Sequence, residues 1–186
     1  MKTFLRFPLP ALALMACFTA LVSAPAAHAQ AGATFLTIDG IIGESVQKGF
    51  EGSIDIFSFS WGAWAANVSN STGAGARAGR PELQDLSLMK HADSTSPELF
   101  FRTMTGEVIP TAKVQVVRRS GDQQQIYFTL ELKNVTITTV QHSHSSGGDF
   151  PMESVTLAYN WIKITHVASD GKVTERTWDL AKARGL

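Results

Sequence analysis

The sequence predicts a mostly β fold, a compact antiparallel β-barrel of two packed sheets with one short flanking α-helix. Three observations carry that expectation. Near-alternating runs of Ile, Val, Leu, Thr and Phe recur along most of the chain. Turn tetrapeptides such as Ser120-Gly121-Asp122-Gln123 and Ser169-Asp170-Gly171-Lys172 separate them. Only the stretch from Ser96 to Gly106 carries both a helix start and a helix stop. About eight strands with one helix read as a small antiparallel barrel or sandwich.

Taken in order, Thr34-Phe35-Leu36-Thr37-Ile38 is the first strand and stops at the turn pair Asp39-Gly40. The second runs from Ser53 to Trp61. Its odd positions (Asp55, Phe57, Phe59, Trp61) and even positions (Ile54, Ile56, Ser58, Ser60) are both mixed. That pattern implies burial on both faces at one end, as in a barrel or a subunit contact. From Gly62 to Pro81 the texture shifts to Ala, Gly, Asn and Ser, a loop of about 20 residues, beyond the ~12–15 at which loops in compact domains become functional or disordered. Its glycines (Gly73, Gly75, Gly79) lack dinucleotide-cradle spacing. Trp64, at its start, either folds back onto the core or sits at a protein contact.

Leu83 to Met89 is the third strand. In the helix, Ser96 is the expected N-cap, Pro97 occupies the first helical position and Glu98 suits the positive dipole end. Leu99, Phe100, Thr103 and Met104 form the expected apolar face, and Gly106 the left-handed stop. A helix of about ten residues needs a sheet to pack on. Lys113 to Arg119 and Gln124 to Lys133 form a hairpin, Asn134 to Ser143 and Glu153 to Val167 flank a Gly147-Gly148 loop, and Val173 to Trp178 is the last strand.

The first residues are a different kind of polymer. Lys2 and Arg6 precede an apolar stretch from Leu9 to Val22, then Ser23-Ala24-Pro25-Ala26 and Ala27-His28-Ala29. Charged, apolar, then small-x-small is the order of a secretory signal peptide, with cleavage expected after Ala29. The apolar run is short of the roughly 20 residues that a membrane-spanning helix needs. Leu14-Met15-Ala16-Cys17 is an imperfect lipoprotein box, the rival reading in which Cys17 carries lipid; a start codon placed too early is another. The domain is expected over residues 30–186.

The whole chain of 186 residues has 16 basic and 16 acidic side chains. Removing residues 1–29 leaves 157 residues with 14 basic and 16 acidic groups and no cysteine. A mildly acidic domain argues against nucleic acid as a partner, and no membrane insertion of the mature chain is expected. Lack of cysteine excludes a disulfide framework and a thiol nucleophile.

A catalytic constellation is missing: no G-x-S-x-G, H-E-x-x-H, P-loop or EF-hand loop occurs. The expectation is a non-enzymatic protein without a cofactor. His142 and His144, two apart on a strand and near Asp149, are the weak metal candidates, short of a placed third ligand. An enzyme reading rests on that pair alone. Lys113, Arg118 and Arg119 make a basic spot read as a solvated edge. Asn67, Asn70 and Asn134 open N-glycosylation tripeptides, common by chance.

Several stretches, in order, resemble the haemolysin-coregulated protein (Hcp) family of the type VI secretion system. They are Thr37-Ile38-Asp39-Gly40-Ile41-Ile42-Gly43-Glu44-Ser45, then Ile54-Asp55-Ile56 and Ser60-Trp61-Gly62 before the long loop. His91-Ala92-Asp93-Ser94-Thr95-Ser96-Pro97-Glu98-Leu99 resembles the family's Asp-x-x-Ser-Pro-x-Leu helix start. Glu153-Ser154-Val155-Thr156-Leu157 resembles its late Glu-x-Val-x-Leu strand. The resemblance runs from about Thr34 to Trp178. It implies a β-barrel that assembles with itself as a homohexameric ring, rings that stack into a secretion tube, and effector or secretion-apparatus proteins as further partners. It implies no catalytic site. Phe59, Trp61 and Trp64, with Arg77 and Arg80 from the long loop, are the expected interface residues. The leader departs from the family, whose members leave through the secretion machine without one. An exported ring former and a secreted monomeric binding domain of the same fold therefore both stand.

Overall fold

The computed structural model describes residues 32–65, 81–120, 123–182 and 184–185. The leader, with Cys17 and the cleavage position at Ala29, lies outside them, as do Arg77 and Arg80.

Twelve strands and one helix are found among the described residues. They are β1 (Ala33–Ile38), β2 (Ile54–Ile56), β3 (Ser58–Ser60), β4 (Ala63–Ala65), β5 (Pro81–Leu83), β6 (Leu86–His91), α1 (Ser96–Thr105), β7 (Ile109–Ser120), β8 (Gln123–Ser143), β9 (Met152–Ala158), β10 (Trp161–Val167), β11 (Val173–Asp179) and β12 (Arg184–Gly185). One sheet runs β12-β11-β10-β8-β7-β1-β2; a second runs β3-β6-β9-β8, and every pairing is antiparallel.

The mostly β class with one short helix is as expected, but the barrel is not closed by a continuous ladder. The sheets meet at two corners. At one, β8 leaves the first sheet and enters the second, turning at Asn134, whose φ of 51° is the left-handed bend that asparagine tolerates. At the other, the chain passes from β2 to β3 through Phe57, whose N–H donates to the Met89 carbonyl (2.8 Å) and so steps from one sheet to the other.

These corners explain where the strand boundaries differ from expectation. The expected Ser53–Trp61 strand is broken at Phe57, whereas Gln124–Lys133 and Asn134–Ser143 form one strand of 21 residues. Glu153–Val167 divides at Tyr159-Asn160, and Leu83–Met89 at Gln84-Asp85. The Tyr159 hydroxyl donates to the Gln84 carbonyl (3.0 Å), fastening one break to the other. The stretch expected as loop from Gly62 to Pro81 begins and ends in strand, because β4 and β5 pair as a separate ribbon; residues 66–80 lie outside the described residues.

Between the sheets, Leu36, Ile38, Ile54, Leu86, Leu88, Leu130, Leu132, Ile137, Val155 and Leu157 form the core. On the other face of β1, Phe35 stacks on Phe50 at 4.2 Å beside Val117, a satellite core. The segment between β1 and β2 is folded back tightly. Gly43 and Ser45 donate to the Gly52 and Ser53 carbonyls (2.7 and 3.0 Å), and a Cβ at Gly43 would overlap the Ser53 carbonyl. Only glycine admits so close an approach of two backbones.

Helix α1 departs from its expected capping. Thr95 is at the N-cap and makes no side-chain cap, while Ser96 lies inside the first turn. The stop is as expected: Gly106 sits at φ 65°, and its N–H donates to the Arg102 carbonyl (3.0 Å). The apolar face is narrower than expected. Leu99 is fully buried against the sheet, but Phe100 and Met104 are 52% and 72% exposed.

Candidate functional site

The ribbon of β4 and β5 presents the first candidate surface. Trp64 pairs with Glu82 across it and is 52% exposed, so it does not plug the core. Phe59 and Trp61 behave differently: both are partly buried against the protein's own core, Phe59 stacking on Phe128 at 6.2 Å. Of the expected interface residues described, Trp64 keeps the most open face. Phe100, Phe101, Met104 and Val108 on and just after α1, with Ile42 and Val46 in the β1–β2 segment, are exposed apolar side chains; patterning assigned Phe100 and Met104 to the buried face and did not single out the others.

Beneath α1 lies a buried charge cluster, also missed. Lys90 on β6 and Glu153 on β9 are cross-strand partners, both fully buried, with Nζ 2.7 Å from Oε2. The same ammonium donates to Asp93 Oδ1 (2.8 Å) and Ser96 Oγ (3.2 Å), and the Ser96 hydroxyl donates to Glu153 Oε2 (2.7 Å). Ser96 therefore ties the first turn of the helix to the second sheet in place of capping it. A signal existed in the alternation: Leu86, Leu88 and Lys90 share one face of β6, and Glu153, Val155 and Leu157 one face of β9. A charge in the core register of each of two strands, opposite in sign, marks a buried pair.

His142 on β8 is the other cross-strand neighbour of Glu153. Its Nε2 lies 3.1 Å from Glu153 Oε1, close enough for an ion pair when protonated but off the hydrogen-bonding direction, so Oε1 has no hydrogen bond. His142 thus has a carboxylate beside it, and His144 lies beyond the end of β8 among Ser143, Asp149 and Phe150. No group of three or more His, Cys, Asp or Glu side chains that could hold a metal occurs among the described residues. Of the basic spot, Arg118 is bonded to Gln125 and lies over the Tyr127 ring. Asn134 occupies the β8 corner.

Asp93 orders the turn before the helix. Its Oδ1 accepts from the Thr95 N–H (2.8 Å) and hydroxyl (2.5 Å) as well as from Lys90. Partial burial works against its charge, but the Lys90 and Thr95 bonds outweigh it and hold the carboxyl below its ordinary 3.8. A depressed carboxyl contributes stability that is present above the unfolded value and lost as pH falls through the folded one. Acid-dependent loss of stability is therefore expected below about pH 3.8. Asp93→Asn should remove that component and cost roughly 1.5–3 kcal/mol at neutral pH, the range for hydrogen bonds to a charged group. Urea titrations of both proteins across the acid range check it; equal acid slopes would refute the assignment.

No helix among the described residues is long and apolar enough to cross a membrane. Residues 35–166 match the family described as "Type VI secretion system effector, Hcp". The chain is 30% identical over 152 residues to Protein hcp1 of Pseudomonas aeruginosa, covering 78% of this chain and 93% of that protein. Among solved structures, one of a type six secretion system protein superposes with a TM-score of 0.76 at 24% identity, covering 84% of this chain and all of the other. Hcp1 of Salmonella typhimurium gives 0.69 at 24% identity, covering 84% and 99%. At that identity the two structures speak for the fold, while the family match and the Pseudomonas relative speak for descent.

Proposed function

From a chain that belongs to the Hcp family of type VI secretion proteins, we infer a non-enzymatic, self-assembling protein that forms homohexameric rings and acts as a tube or carrier component. The observation that supports assembly is the apolar surface left in water by one copy: Trp64, Phe100, Phe101, Met104 and Val108, each more than half exposed. Large apolar side chains in that number mark contact surfaces. In this reading Trp64 on the β4–β5 ribbon, with Arg77 and Arg80 from the segment that follows it, reaches a neighbouring ring, while Phe59 and Trp61 shape the ribbon's base. Effector or apparatus proteins are the further partners; neither cofactor nor nucleic acid takes part.

The leader is a specific reason to keep a second reading. Lys2, Arg6, the Leu9–Val22 run and Ala27-His28-Ala29 support export with cleavage after Ala29, and a secreted monomeric binding domain fits that route as well. Light scattering of the protein recovered after export distinguishes the two. The expected result is about six times the protomer mass, with an N-terminus at Gln30 and loss of higher assemblies in Trp64→Ala. A monomer at every working concentration would overturn the ring, and an N-terminus at Met1 would overturn cleavage of the leader as a signal peptide.

A further inference from the structure

At the corner where the chain steps from β2 to β3 stands Phe57, a residue 55% exposed. His91, at the end of β6, meets it edge-on at 4.3 Å, and Phe150, itself 61% exposed, lies tilted against His91 at 5.3 Å. The backbone fixes both walls: Phe57 N–H donates to the Met89 carbonyl (2.8 Å) and Ala92 N–H to the Pro151 carbonyl (2.9 Å). Beside the rings, Glu44, Asp55 and Asp93 complete the lining of a cleft of about 340 Å³. Asp93 shares the Lys90 ammonium with Glu153. Glu44 accepts one hydrogen bond from the Ser94 N–H (3.1 Å), and neither Glu44 nor Asp55 is ion-paired among the described residues.

Two open aromatic rings beside two uncompensated carboxylates describe the complement of a planar cation. We propose that this cleft binds an arginine side chain presented by a different polypeptide. A guanidinium lies flat on a ring and forks to a carboxylate, combining contacts that a compact, strongly hydrated ammonium makes less well. A different polypeptide is favoured because Arg102, Arg118 and Arg176 of this chain are already engaged. Arg102 holds Glu98 and Glu107, Arg118 holds Gln125, and Arg176 donates to the Glu175 carbonyl. The cleft shares no residue with the Trp64 ribbon, so it gives the protein a second type of contact, to an arginine-bearing partner.

The test is fluorescence anisotropy of the intact protein with a labelled Gly/Ser peptide carrying two arginines, against matched lysine and citrulline peptides. The arginine peptide should bind at least tenfold more tightly than either. Glu44→Gln/Asp55→Asn and Phe57→Ser/Phe150→Ser should each weaken it at least tenfold; these side chains are exposed, and circular dichroism verifies the fold. Equal binding of the arginine and lysine peptides, or binding indifferent to the variants, would overturn the proposal. So would a change of assembly mass in Glu44→Gln/Asp55→Asn without peptide, because a second copy would then be the occupant. Protomer number is read separately, so failure here leaves the ring reading standing.

Discussion

Replacing Lys90 by alanine should destabilise the fold by roughly 3–5 kcal/mol, the cost of breaking a buried ion pair from one side. The reason is Glu153. With Lys90 gone, a fully buried carboxylate keeps only the Ser96 hydroxyl on Oε2 and a misaligned His142 near Oε1. Asp93 loses its counter-charge as well, so the turn before α1 loosens along with the β6–β9 ladder. The pair's existence and its net contribution are separate matters, because two charges taken from water recover their desolvation only with good geometry. Lys90→Met/Glu153→Leu should therefore lose far less than Lys90→Ala and leave the assembly state intact. Urea unfolding followed by tryptophan fluorescence measures both. A loss in Lys90→Ala of under about 1 kcal/mol would mean that water reaches Glu153 in the folded state.

Leu99→Ala is the second large effect, expected at about 2–5 kcal/mol, the range for truncating a buried leucine. Leu99 is the one apolar side chain of α1 that is fully buried, and Phe100, Phe101 and Met104 face outward. At ten residues the helix is too short to persist alone, so its order rests on Leu99 and on the Ser96–Glu153–Lys90 tie. Proteolysis of Leu99→Ala should begin within residues 96–106, whereas Met104→Ala should leave stability nearly unchanged. If Leu99→Ala unfolds at the same urea concentration as the parent, the helix is held by something other than this contact.

The two variants also show where the sequence was readable. The strand at Thr34–Ile38 could be identified because its alternation is strong and bounded by Asp39-Gly40, and Gly106 because a left-handed stop has a local chemical requirement. The breaks at Phe57 and Tyr159 and the continuity through Asn134 were not readable, since each is set by which sheet the next residue joins. The helix shows the same division. Its position followed from Ser96-Pro97-Glu98, but the side that faces the sheet did not, and Phe100 and Met104 point the other way from the expected face. At the candidate surface, Trp64 was singled out by its place at the edge of a strand run, whereas the grouping of Phe57, His91 and Phe150 joins residues up to 93 positions apart.

By itself, then, the sequence determined the mostly β class, the helix at Ser96–Thr105 and its stop, and the ordered motifs that mark the Hcp family. Those features depend on neighbours within a few residues, or on matches that survive without coordinates. Only the tertiary structure decided that the two sheets meet at two corners without closing into a continuous barrel. It alone brought the helix-start motif and the late strand motif together at one buried charge cluster. Lys90 and Glu153 lie 63 positions apart and become partners through strand pairing. In an antiparallel sheet the partner of a residue is fixed by register across the ladder, and register is a property of the assembled strands.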